Sequence, residues 1–135
     1  MKITISDSIS IEDIQNSFSK KYPFLKIEFF SKPHAVHTGS RKEFMIPSQT
    51  MIKDCRTIHD KGNLDIHPYT TVAELEQKFQ ELFGLYTQVF RKSGDVWIET
   101  TVTDDWTLEK QNTEAESFHK DLQERIRPDR DHMLL

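Results

Sequence analysis

Cys55 is the only cysteine in this 135-residue chain, so no intramolecular disulfide framework is possible. Glycine is equally scarce. The four glycines, at 39, 62, 84 and 94, are isolated from one another, which rules out both a P-loop and a dinucleotide-binding fingerprint. No apolar run approaches the roughly 18 residues that a membrane helix needs, so no membrane partner is expected. Residues 1–11 alternate polar and apolar side chains and lack the basic start and apolar block of a signal peptide. The expected compartment is therefore cytoplasmic. Excess positive charge is missing as well: 18 Lys and Arg stand against 22 Asp and Glu, a net charge of −4. Non-specific nucleic-acid binding needs a positive surface that displaces counterions, and the whole-chain charge opposes it.

What is present suits one soluble domain. Nine Phe and two Trp are enough large side chains to anchor a single core at this length. The charge is uneven: residues 1–62 carry +3 and residues 63–135 carry −7. A local basic stretch, Lys20, Lys21, Lys26, Lys32, Arg41 and Lys42, falls in the first half and reads first as a solvated face.

The most informative feature is internal. Shifted by 61 positions, residues 3–30 align with 64–91 without a gap. Ile3 falls on Leu64, Ile5 on Ile66, Ile11 on Val72, Ile14 on Leu75, Phe18 on Phe79, Tyr22 on Phe83 and Phe29 on Phe90. Each half reads strand, helix, strand. Lys2 to Ser6 and Asn63 to His67 alternate apolar and polar residues, as half-buried strands do. Ser10 and Thr71 are helix caps, with Asp13 and Glu74 three places on. Ile11, Ile14 and Phe18, and Val72, Leu75, Phe79 and Leu82, form one buried stripe per helix. Pro23 and Gly84 end the helices, and second strands follow at Phe24 to Phe30 and Leu85 to Arg91.

Two such units predict an α+β fold that resembles the ferredoxin-like split βαβ sandwich, as a single domain over residues 1–127. Its halves are residues 2–31 and 63–91. Residues 31–62 read as an insertion, extended near Glu43 to Ile46 and helical from Ser48 to His59. A hairpin strand, Val96 to Val102, and a helix opened by Thr113 and ending before Pro128 are additions within 96–127. Residues 128–135 read as a flexible tail.

Helices on one sheet face leave the other open. Strand alternation puts Phe24, Phe30 and Trp97 there, an aromatic strip able to stack bases, to meet a second copy, or to be covered by the extra helices. Arg91 and Lys92 at the following hairpin add cations that can hold an anion beside Trp97. These five residues are the candidate binding set. His34 and His37, with His59, His67 or Cys55, have the spacing of a partial metal site only, so no metal or other cofactor is assigned. Asp104 and Asp105 can offer hard oxygens to Mg²⁺ if Glu99 or Glu109 joins them. Cys55 and His59 lie four residues apart, but no orienting group or oxyanion hole accompanies them, and no catalytic residue is assigned.

The run Phe90-Arg-Lys-Ser-Gly-Asp-Val-Trp97, with Glu99-Thr-Thr-Val-Thr-Asp-Asp-Trp-Thr-Leu108 and Gln111-Asn112, is similar to small bacterial proteins of unknown function. The resemblance spans about residues 62–112 and implies no activity, cofactor or site residue. The reading chosen is a non-catalytic protein-interaction or regulatory module that self-associates, with a protein partner or homodimer expected. One alternative is an anion- or nucleic-acid-binding protein. Another is a small metal-dependent enzyme acting on a phosphorylated substrate through Asp104, Asp105 and a histidine.

Overall fold

The structure is a computed structural model that describes residues 1–34, 39 and 42–126. The tail expected at 128–135, together with His37 and Arg41, lies outside the described residues. The fold is mixed α and β. Strands β1 (Lys2–Ile5) and β3 (Gly62–Asp65) form one antiparallel ladder; β2 (Leu25–Phe30), β4 (Tyr86–Ser93) and β5 (Val96–Glu99) form another, in the order β2-β4-β5. The helices are α1 (Ile11–Lys21), α2 (Val72–Phe83) and α3 (Leu108–Arg125).

The helix starts follow the sequence. Ser10 Oγ accepts from the Asp13 N–H, and the Asp13 carboxylate accepts from the Ser10 N–H, two orphan donors satisfied reciprocally. Thr71 caps α2 by accepting from the Glu74 N–H. Ile11, Ile14 and Phe18 are buried on α1, and Val72, Leu75 and Phe79 on α2. Phe83 completes the second stripe; Leu82, expected there, is exposed. The buried residues of both stripes pack with Ile3, Ile5, Leu64 and Ile66 in one core.

The ladders pair the halves with each other. Ile3 faces Leu64, 61 residues on, and Glu28 faces Gln88, 60 residues on. A ferredoxin-like sheet would place β2 beside β3; here β2 pairs with β4, and the expected strand order is not the one formed. The gapless alignment also needs correction. Leu25, Ile27 and Phe29 are buried, and so are Leu85, Thr87 and Val89, so the second strands correspond at 60 rather than 61. The cause is the turn: α1 leaves through Tyr22, Pro23 and Phe24, whereas Gly84, at φ 64°, turns the chain in one residue fewer.

The expected insertion and additions make matching contacts. Ile46 N–H donates to the Phe29 carbonyl (2.8 Å), and Thr100 N–H to Val89 (3.2 Å). Ile11 and Glu12 donate to Thr50 and Ser48, while Val72 and Ala73 donate to Trp106 and Asp104. Ile52 N–H donates to Ile9, and Leu108 N–H to Thr70. Residues 44–55 thus do in the first half what 98–111 do in the second. The helix expected at 48–59 is a single 3₁₀ turn, Ile52–Asp54, and another such turn, Lys42–Phe44, precedes the Phe30–Met45 bridge. The hairpin strand ends at Glu99, not Val102. α3 opens at Thr107, which accepts from the Lys110 N–H, not at Thr113.

Candidate functional site

The outer face of the three-stranded sheet holds part of the expected binding set. Pairing of Lys26 with Phe90, of Phe90 with Glu99 and of Lys92 with Trp97 puts these side chains on one face. Lys26 Nζ lies 5.3 Å from the Trp97 ring and 5.4 Å from the Phe90 ring, and Lys92 Nζ lies 5.8 Å from Trp97. These are cation–π distances. Lys26, Phe90 and Trp97, with Phe30, Lys42, Met45 and Glu99, line a cleft of about 360 Å³. Phe30 is buried at this cleft and is bridged by Met45, whereas Trp97 stays 37% exposed.

The other two candidates lie elsewhere. Alternation along β4 sends Arg91 to the opposite face from Lys92. Its Nη1 donates to Gln111 Oε1 (3.0 Å) and Thr103 Oγ1 (3.3 Å), and its guanidinium lies 5.5 Å from the Trp106 ring. Arg91 therefore fastens the start of α3 to the sheet. Phe24 packs its ring 5.4 Å from that of His119 on α3, and its N–H donates to Asn112. The aromatic strip is thus divided, with Phe24 under α3 and Trp97 with Phe30 at the cleft.

A second site gathers around α2. Glu76 Oε2 accepts from the Val89 N–H at 3.0 Å, on the stretch of β4 that β5 does not reach. Its Oε1 lies 3.4 Å from His34 Nε2, and that nitrogen is also 3.2 Å from the Thr87 carbonyl. A carbonyl only accepts, so Nε2 carries the proton. Burial pushes the Glu76 carboxyl above the ordinary glutamate range, the charge of Asp104 adds to this, and hydrogen bonds from His34 and Val89 oppose it. A cavity of about 370 Å³ opens on these groups, lined also by Tyr86, Gln77 and Gln80.

Comparison with protein-family models, with curated proteins and with solved structures gives no match to this chain. The chemistry must be read from the side chains.

Among the described residues, no three His, Cys, Asp or Glu converge as a metal site. His59 hydrogen-bonds Asp7 at 2.8 Å, and His67 stacks on Tyr69 at 5.0 Å, both away from His34. Asp104 is buried at the cavity and Asp105 is exposed, so the adjacent acids diverge. Burial and the neighbouring Asp54 push the Cys55 thiol up, and its S–H donates to the Met51 carbonyl. A protonated, hydrogen-bonded thiol is a poor nucleophile. No described helix is long and apolar enough to cross a membrane. Sequence reading named His34 and Asp104 for different sites and missed Glu76. Its only signal was a carboxylate standing, at the 61-residue offset, where the first half has Gln15.

Proposed function

We propose that this chain is a cytoplasmic, non-catalytic protein-interaction or regulatory module that associates with a second copy of itself along β5. The observation that carries this is the state of the sheet edges. On the β2 edge, Ser19 donates to the Leu25 carbonyl, Gln15 to Ile27 and Ile46 to Phe29, so no room remains for another strand. On β5, ladder alternation turns the backbone groups of Trp97 and Glu99 away from β4. Among the described residues nothing bonds to them. An edge whose backbone groups no described residue takes is a template for another strand, and Val96 and Trp97 supply exposed apolar surface beside it. A second copy is the favoured occupant on charge. Antiparallel pairing of Trp97 with the copy's Glu99 sets that carboxylate on the same face as Lys92, one strand further across the ladder. In architecture, we read the halves as two copies of one unit, a repeat that reaches the elements beyond the βαβ cores.

The test is light scattering with size-exclusion chromatography over rising concentration. The wild-type mass should climb above the 15.9 kDa of one chain. Trp97→Lys, with unchanged far-UV circular dichroism, should hold it at the monomer value. A wild-type chain that stays monomeric at high micromolar concentration overturns the proposal.

A second reading rests on the lysines around Trp97. Lys26, Lys42 and Lys92 line the same cleft or lie against its indole, an arrangement suited to an anion or a stacked base. Binding of labelled single-stranded RNA by a monomer, weakening as salt rises, would favour this reading over self-association.

A further inference from the structure

We infer that the cavity beside α2 binds a small organic cation, whose ammonium or guanidinium group docks on the Glu76 carboxylate with help from the Thr87 hydroxyl. Two independent observations point to a ligand. First, Glu76 is 9% exposed, yet among the described residues its carboxylate meets one backbone N–H and the His34 imidazole at 3.4 Å. A carboxylate offers about four acceptor sites, so Oε1 retains capacity toward the cavity. Second, Thr87 is 2% exposed and its Oγ1 has no hydrogen-bond partner among the described residues. Thr87 lines the same cavity. Buried polar atoms are rarely left unsatisfied, and each exception calls for an explanation.

The comparison between halves sharpens this. Gln15 occupies the position corresponding to Glu76 and braces β2 through the Ile27 carbonyl. A neutral amide can brace a strand edge from this helix position, and a glutamine at 76 would accept from the Val89 N–H equally well. An acid in this buried place is costly for bracing alone. A cation in the cavity offsets that cost. The other titratable groups at the cavity are Asp104, Glu81, His34 and the Tyr86 phenol, so carboxylates outnumber the single imidazole and the field favours a positive ligand. The volume, about 370 Å³, suits a small molecule, and Ala73, Pro33 and the Tyr86 ring provide apolar wall for a short hydrocarbon body.

The experiment is an amide NMR titration of the full chain with butylamine and butylguanidine, using 1-butanol as the uncharged control. Both cations should shift the Thr87 and Val89 amides saturably, and butanol should not. Glu76→Gln should weaken cation binding about tenfold or more, the scale of a lost charged hydrogen bond. Thr87→Val should weaken it severalfold while the remaining spectrum is preserved. Absence of saturable shifts with either cation overturns the proposal, as does equal affinity in Glu76→Gln. Tighter binding of acetyl-lysine-amide than of butylamine overturns the assignment to a free small cation.

Discussion

Arg56 keeps its guanidinium almost entirely out of water, so its partners decide whether the charge is tolerable. Nε and Nη2 both donate to Asp7 Oδ1, at 3.1 and 2.9 Å, and Nη1 donates to the Phe83 carbonyl at 3.1 Å. The residue thereby ties the loop after β1 to the end of α2. Partial burial works to raise the Asp7 carboxyl, but hydrogen bonds from Arg56 and His59 outweigh it and hold it below the ordinary value of 3.8. A carboxyl depressed on folding contributes stability above its unfolded pKa. That contribution is lost as the pH falls through the lowered folded value. Asp7→Asn should therefore lower the Tm at neutral pH, since it leaves a buried cation short of its counter-charge. It should also flatten the Tm-against-pH curve below about pH 4, the region set by the unfolded aspartate value. A variant with the wild-type Tm at pH 7 would show that Arg56 is satisfied without Asp7.

At the scale of elements, Gly84 and Gly94 both sit at positive φ, 64° and 63°, but in different company. A Cβ on Gly84 would come within 2.7 Å of Ile58 Cγ1, whereas one on Gly94 would meet Leu122 at an ordinary 3.4 Å. Gly94→Ala at the hairpin tip should cost about 1 kcal/mol from left-handed strain. Gly84→Ala should cost about 2 kcal/mol, because Ile58 must also move. Urea denaturation of the two variants gives the comparison, and equal losses would remove the role assigned to Ile58. The same turn explains a limit on sequence reading. The stripes of α1 and α2 and their caps were legible because only one helical face is apolar. The strand from Phe24 to Phe30 has apolar residues at both parities, so nothing in its pattern revealed the one-residue slip. The start of α3 was hidden for a different reason. Its buried face includes Gln111, which donates to the Thr103 carbonyl at 2.7 Å and accepts from Arg91, and hydrophobic spacing does not see a polar core.

Over the whole molecule, the correspondence between residues 44–55 and 98–111 was illegible because it lives in backbone hydrogen bonds. Segments of unequal length with dissimilar side chains carry it. That Trp97 and Phe30 share a sheet face was legible from strand alternation. The Glu76 cavity was not, since it depends on His34 and Asp104 being brought to one helix from distant loops. The ladders add a consequence for folding. β1 pairs only with β3, and β2 pairs with β4, so every strand of the first half takes its sheet partner from the second. The helix N-termini, by contrast, are covered from within their own halves: Ile11 by Thr50 and Val72 by Trp106. The first half therefore holds the instructions for its helix but no sheet against which to bury it, the second keeps only the β4–β5 hairpin, and a lone helix of 11 or 12 residues is marginal in water. Of fragments 1–60 and 61–135, prepared separately, the first should show weak helical circular dichroism and no cooperative thermal transition. Mixed in equal amounts, they should regain a cooperative transition and co-elute as one species. Because Ile3 sits opposite its own counterpart Leu64, the first fragment can also pair with a second copy of itself, which concentration-dependent helicity would reveal. A fragment 1–60 that folds as a stable monomer would sink the claim that the halves depend on each other for their sheets.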